Sequence, residues 1–210
     1  MNTAWFLSIP AMMFPNQEIL VFEDTRLTYA QLQERVNRLA NALRSLDLGR
    51  GSLIGVLQTD CNRYVEAYYA CSKVGGAFVP LNYRASHDEL KYMVNAAEID
   101  ALLVGERYFD LTCSLRSQLP SVKHWIALER PHKGMLFFDD LLNDAPGDDV
   151  VEEAMEGDEA NILMYTTVPG SLPRAVVLTY RNLIEYIFGT VERANGRTGG
   201  TTLLAAPPYH

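Results

Sequence analysis

The 210 residues suffice for one large domain or two small ones, and a composition of 48% hydrophobic and 21% charged residues excludes disordered and collagen-like chains. The formal net charge of -8 is local: ten of the 26 acidic residues lie between Asp139 and Glu159, a stretch without Lys or Arg, which leaves 16 acidic against 18 basic residues elsewhere. No basic stripe offers itself to a phosphate backbone, so nucleic acid is not an expected partner, and no apolar run approaches the ~18 residues of a membrane span.

Cys61, Cys71 and Cys113 form no CxxC pair and read as reduced thiols of a cytosolic protein. The N-terminus is apolar around Trp5-Phe6-Leu7, but Pro10 interrupts it and no Lys or Arg precedes Arg26, so a secretory leader is not expected. The expected location is the cytoplasm.

In chain order, Ile19–Phe22 and Thr25–Leu27 around Glu23-Asp24 predict a small hairpin. Tyr29, Leu32, Val36, Leu39, Ala40, Leu43 and Leu46 recur at spacings of three and four and predict a helix to about Leu46, opened by a Thr28/Gln31 capping box and stopped by Asp47-Leu48-Gly49. The chain then alternates. Strands are expected at Leu53–Gln58, Ala77–Leu81, Ala101–Val104 and Trp125–Leu128, and helices at Cys61–Val74, His87–Ala97 (capped by Ser86, with Glu89) and Phe109–Leu119. This alternation with continuous apolar strands predicts an α/β fold, a mainly parallel sheet flanked by helices. The acidic stretch, with Pro146-Gly147 and Gly157, reads as a solvated connector with one helical turn at Asp139–Asn143. Beyond it come a strand at Asn161–Thr167, a turn-rich segment, a strand at Ala175–Leu178, a helix from Tyr180 to Arg193 and a last strand at Thr201–Ala206.

Few residues suggest chemistry directly. Gly49-x-Gly51-x-x-x-Gly55 precedes a strand rather than following one and has a residue too many for a dinucleotide loop. His87, His124 and His132 lack metal-ligand spacing, and Tyr64, Tyr68 and Tyr69 sit at helical spacing, as packing residues do. The informative segment runs from Tyr165 to Leu183: a strand, a hydroxyl- and turn-rich loop, a basic residue, a strand and a helix start, the kind of loop that can cradle phosphate.

This segment resembles the phosphate-binding loop of the adenylate-forming superfamily, whose pattern is Tyr-Thr-Ser-Gly-Thr-Thr-Gly-x-Pro-Lys-Gly-Val followed by Leu-Thr-His-x-Asn-Leu. Tyr165, Thr166, Pro173, Val176, Leu178, Thr179, Asn182 and Leu183 match it in register. Leu27–Leu32, the Lys73-Val74-Gly75-Gly76-Ala77-Phe78-Val79-Pro80 block and Ala206-Pro207-Pro208-Tyr209-His210 are similar to other family blocks, in the family's order. Leu81-Asn82-Tyr83-Arg84 is similar to the acyl-CoA synthetases rather than to peptide-synthetase domains.

The resemblance implies the N-terminal part of the large domain of an acyl-CoA synthetase-like adenylation fold. It divides the chain into an α/β region at 1–145, the connector at 146–159 and a strand–helix–strand unit at 160–210. It implies an acid–thiol ligase in which a carboxylic or fatty acid attacks the α-phosphate of ATP and CoA then displaces AMP, with Mg²⁺ accompanying ATP. Thr166, Thr167, Gly170, Ser171 and Arg174 would contact nucleotide phosphate and His210 would border the substrate or adenylate pocket. No catalytic residue and no metal ligand is assigned.

The departures are as specific. Val168 and Ser171 replace the loop's two glycines, Pro169 and Gly170 replace two threonines, and Arg174 and Ala175 replace the Lys-Gly pair. Nucleotide binding is therefore expected to be weakened, and the family's later motifs for adenine, ribose, Mg²⁺ and its catalytic Lys are not found. A natural short form and a fragment are both compatible with this, as is a non-catalytic binding or assembly module. The strand at Thr201–Ala206 is expected to leave an apolar edge that a partner chain covers, a homodimer being the first candidate.

Overall fold

In the computed structural model, which describes residues 1–150, 154–166, 171–191, 201–204, 206, 207 and 209, the predicted alternation forms one seven-stranded sheet beside a two-stranded hairpin. The hairpin strands are β1 (Glu18–Phe22) and β2 (Thr25–Thr28). The two-residue turn between them holds Glu23 at φ 50°, the left-handed conformation that tight hairpins require. Helix α2 (Tyr29–Ser45) follows directly, its Thr28 hydroxyl accepting from the Gln31 amide while the Gln31 side chain accepts from the Thr28 amide. Removing that hydroxyl in Thr28→Ala is expected to cost about 1 kcal/mol, read as a lower urea midpoint with an unchanged slope.

The remaining elements are β3 (Leu53–Leu57), α3 (Asn62–Lys73), β4 (Ala77–Pro80), α4 (His87–Ala96), β5 (Ala101–Val104), α5 (Phe109–Leu115), β6 (His124–Ala127), β7 (Leu136–Phe137), α6 (Phe138–Asp144), β8 (Ala160–Thr166), β9 (Arg174–Thr179) and α7 (Tyr180–Thr190). The sheet order is β7-β6-β5-β3-β4-β8-β9. Every neighbouring pair is parallel except β8–β9, which is antiparallel. Alternate strand residues serve opposite faces. Ala101 and Leu103 join Ile54, Val56 and Ile126 against α2, α3 and α6, whereas Leu102 and Val104 join Leu57 and Trp125 against α4 and α5. Burial on both faces is why these strands read as unbroken apolar runs.

Tertiary context changes four local expectations. Pro10 does not stop the N-terminal segment: α1 (Trp5–Met13) runs through it, losing one backbone hydrogen bond while the Pro10 carbonyl still accepts from Phe14. The predicted helix Phe109–Leu119 is split, α5 continuing as a 3₁₀ turn over Arg116–Gln118. The acidic connector is not simply solvated. Arg38 donates to the Leu142 and Ala145 carbonyls and Asn41 to those of Pro146 and Asp148, while Lys73 pairs with Asp149, Arg50 with Glu159 and Arg181 with Asp158. Finally, Thr201–Leu204 form no strand, and Leu203 and Leu204 are exposed. An apolar run becomes a strand only where a neighbour offers a ladder; the edge of the sheet on the side of the loop-bearing hairpin is β9, with Val176 and Val177 exposed.

The glycines of Gly49-x-Gly51-x-x-x-Gly55 are structural. Gly51 takes φ 85° in the turn before β3, and a Cβ at Gly55 would lie 2.9 Å from Ile99. Tyr64 and Tyr68 pack edge-on against Phe78, and among the described residues no His/Cys/Asp/Glu group could hold a metal ion. No described helix is long and apolar enough to cross a membrane.

Candidate phosphate loop and its support

The loop-bearing unit is the β8–β9 hairpin with α7. Along β8, Asn161, Leu163 and Tyr165 point inward, and the strand becomes exposed at Thr166. The Tyr165 hydroxyl donates to the Met93 carbonyl at 2.9 Å and so ties the loop end of β8 to α4. The chain returns at Arg174, in register with Thr166, and the Thr166 hydroxyl donates to the Arg174 carbonyl at 3.4 Å. Thr166 and Arg174 therefore stand together at the mouth of the hairpin, both exposed, with Ser171 exposed on the segment between them. Thr167, Val168, Pro169, Gly170 and His210 lie outside the described residues.

After β9, Thr179 and Asn182 cap α7 reciprocally, so a side chain already occupies the amide acceptor position at this helix start. What the described part of the loop offers an anion is one exposed guanidinium and hydroxyls, a set that fits polyphosphate held at the surface. Tyr209 is buried with its ring edge-on to Tyr83, 5.2 Å between centroids, just beyond β4. The Arg84 guanidinium lies over the same Tyr83 ring, and Tyr108, just past β5, is the next aromatic. These residues gather at the carboxyl ends of the parallel strands, where open α/β sheets bind ligands.

Two structural features of the unit escape sequence reasoning. Tyr180 stands where the resembled pattern has His; it is fully buried, its hydroxyl within 3.3 Å of the Ser72 carbonyl and 3.4 Å of that of Gly76. Burial pushes its phenol above the ordinary tyrosine range. Asn161, also fully buried, bonds to three hydroxyls. An aromatic in a position otherwise matching the pattern was a legible signal for the first; nothing in the sequence marks the second.

Other reactive groups are not poised. Burial pushes the Cys61 thiol up to about 11 and that of Cys71 higher still, so neither is an activated thiolate at neutral pH. A separate cleft of 390 Å³ lies between β2, α3 and α6, lined by Arg35, Asn62, Arg63 and Asp139. Arg63 pairs with Asp139 at 2.8 Å and Arg35 with the fully buried Glu66 at 3.0 Å, which makes the cleft a salt-bridged seam.

The AMP-binding enzyme family profile matches residues 9–210, and the chain belongs to that family. A long-chain-fatty-acid–CoA ligase of Thermus thermophilus is 31% identical over 185 residues, 85% of this chain and 33% of that protein. A feruloyl-CoA synthase of an Amycolatopsis species is 28% identical over 200 residues, 95% of this chain and 38% of that protein. Among solved structures, the anthranilate CoA ligase AuaEII in complex with anthranoyl-AMP superposes with a TM-score of 0.85 at 22% identity, over 91% of this chain and 37% of that one. A Mycobacterium tuberculosis fatty acyl CoA synthetase gives 0.76 at 25% identity, over 85% and 34%. The chain thus spans about a third of the length of the curated relatives it matches. The adenylate-forming resemblance and its N-terminal position are both borne out.

Proposed function

We propose that this chain is the phosphate-loop-bearing N-terminal part of a cytoplasmic, ATP-dependent acyl-CoA synthetase that activates a carboxylic or fatty acid. The observation that carries the reading is the hairpin itself: Tyr165-Thr166 ends an inward-anchored strand, Arg174 returns opposite Thr166, and the Thr179/Asn182 cap opens the next helix, in the order of the family pattern. In the reaction, the substrate carboxylate attacks the α-phosphorus of ATP and the bond to pyrophosphate breaks. The CoA thiol then attacks the acyl carbonyl and AMP leaves. Within this scheme Arg174 and the hydroxyls of Thr166, Thr167 and Ser171, with the backbone at Gly170, face the charge that develops on the leaving pyrophosphate. His210 would border the acyl-adenylate. Magnesium would arrive with ATP, and CoA would be the second substrate.

A second reading, a non-catalytic binding or assembly module, draws on Val168, Pro169 and Ala175 in the loop and on the exposed β9 edge, where a second copy would dock. Calorimetric titration separates the two. The synthetase reading expects weak ATP and pyrophosphate binding that disappears in Arg174→Ala, whereas no binding of either by the native chain overturns it. The 210-residue polypeptide alone is expected to show no carboxylate-dependent ATP–pyrophosphate exchange with fatty or aromatic acids, because the motifs for ribose, Mg²⁺ and the catalytic Lys are not in it. Exchange above background would contradict that expectation.

A further inference from the structure

We infer that a buried hydroxyl–amide network centred on Asn161 is the joint that seats the loop-bearing hairpin on the sheet, with Asn161, Ser72 and Tyr180 as its anchors. The joint is read from geometry alone; only its relevance to nucleotide rests on the proposed function.

β8 is bridged to β4 at the register pair Phe78↔Ile162, whereas β3 and β4 share four. A slip by one residue would carry the inward side chains of β8 off their partners, Asn161 from α3 on one face and Leu163 and Tyr165 from the α4 side on the other. Beside that pair sits Asn161. Its amide nitrogen donates to the Ser72 hydroxyl at 3.0 Å and to the Thr3 hydroxyl at 3.1 Å, and its oxygen accepts from the Tyr68 hydroxyl at 3.0 Å. The Thr3 hydroxyl lies 3.1 Å from that of Ser72, and the Asn2 amide donates to the Ser72 carbonyl at 2.6 Å.

The same Ser72 carbonyl faces the Tyr180 hydroxyl, so the start of β8 and the start of α7 both land on the end of α3. Asn2, Thr3, Ser72, Asn161 and Tyr180 are all buried, and none of their side-chain polar atoms is without a partner. Apolar packing alone tolerates sliding. Directional bonds between fully desolvated groups do not, because each shifted position leaves a donor or acceptor unpaired. Tyr165, bonded to Met93, holds the other end of β8, so the strand is pinned both at its base and near the loop.

Hydrogen exchange followed by mass spectrometry on the 210-residue chain tests this with Asn161→Leu, which keeps the branched shape of the side chain and removes the amide. Leaving the buried Thr3 and Ser72 hydroxyls and the partly buried Tyr68 hydroxyl each short of one partner is expected to speed exchange about tenfold in Ala160–Thr166 and Tyr180–Thr190 while β3, β5 and β6 keep native rates. Ile126→Ala, a core truncation in β6, should instead speed exchange around β5 and β6. Uniform acceleration in Asn161→Leu, or native rates in the hairpin, would overturn the joint. Ser72→Ala removes one hydroxyl and keeps the Asn161–Tyr68 bond; it carries the same expectation if the leucine variant does not fold. Parallel ATP calorimetry on the native chain keeps the readings separate, since absence of nucleotide binding would not alter the exchange pattern.

Discussion

Arg35→Ala is expected to lower the unfolding free energy by about 3 kcal/mol, the low end of the range for stripping one partner from a buried ion pair. Glu66 is fully buried on α3, one carboxylate oxygen 3.0 Å from the Arg35 guanidinium and the other 2.7 Å from the Asn62 amide. Truncating Arg35 leaves the carboxylate in the interior with Asn62 alone. Arg35 is itself about one-third exposed, so water can approach part of the vacated space, which is why the upper end of the range is not expected. Arg35→Met with Glu66→Leu should recover part of the loss, because no buried charge is then left unpaired and only the Asn62 amide loses its acceptor. Urea unfolding of the native chain and the two variants decides the matter. A loss below about 1 kcal/mol in Arg35→Ala would show that the pair adds no more than an exposed one does.

Val168→Gly combined with Pro169→Thr is expected to tighten ATP binding by at least about tenfold, since regaining one amide donor to a charged group is worth ~1.5–3 kcal/mol. Proline has no amide hydrogen, and the branched valine side chain resists the close backbone approach that glycine allows at a phosphate. Arg174→Ala should remove the remaining affinity, because its exposed guanidinium is the cation the described hairpin presents at the loop. Calorimetric titration of ATP into the three proteins gives the comparison. No gain from the double change, or tight binding by the native chain, would mean that the loop is built for a different ligand.

Much of this was legible in the chain because it depends on neighbours in sequence. The helix at Tyr29–Ser45, the Thr28/Gln31 and Ser86/Glu89 capping boxes and the short turn at Glu23-Asp24 are set by spacings of two to four residues. The parallel sheet followed from runs such as Ala101–Val104, which are apolar throughout because both faces are covered. The candidate loop was legible only as a motif; its register, with Thr166 opposite Arg174, needed the pairing of β8 with β9.

What sequence could not decide depends on groups distant in the chain. The acidic stretch looked solvated because its partners, Arg38 for the backbone carbonyls and Arg50, Lys73 and Arg181 for the carboxylates, lie elsewhere in the chain, and only folding brings them within reach. Pro10 only interrupts the apolar N-terminus when read locally, and the helix that runs through it depends on the core that Leu7 enters. Thr201–Leu204 looked like a strand because apolar composition carries no record of whether an unpaired edge lies alongside. Local propensity and periodicity thus determined which elements form. The buried polar contacts, Asn161 to Ser72 and Thr3 above all, were decided by tertiary structure, because a hydrogen bond between residues 89 or 158 positions apart leaves no periodic mark on the sequence.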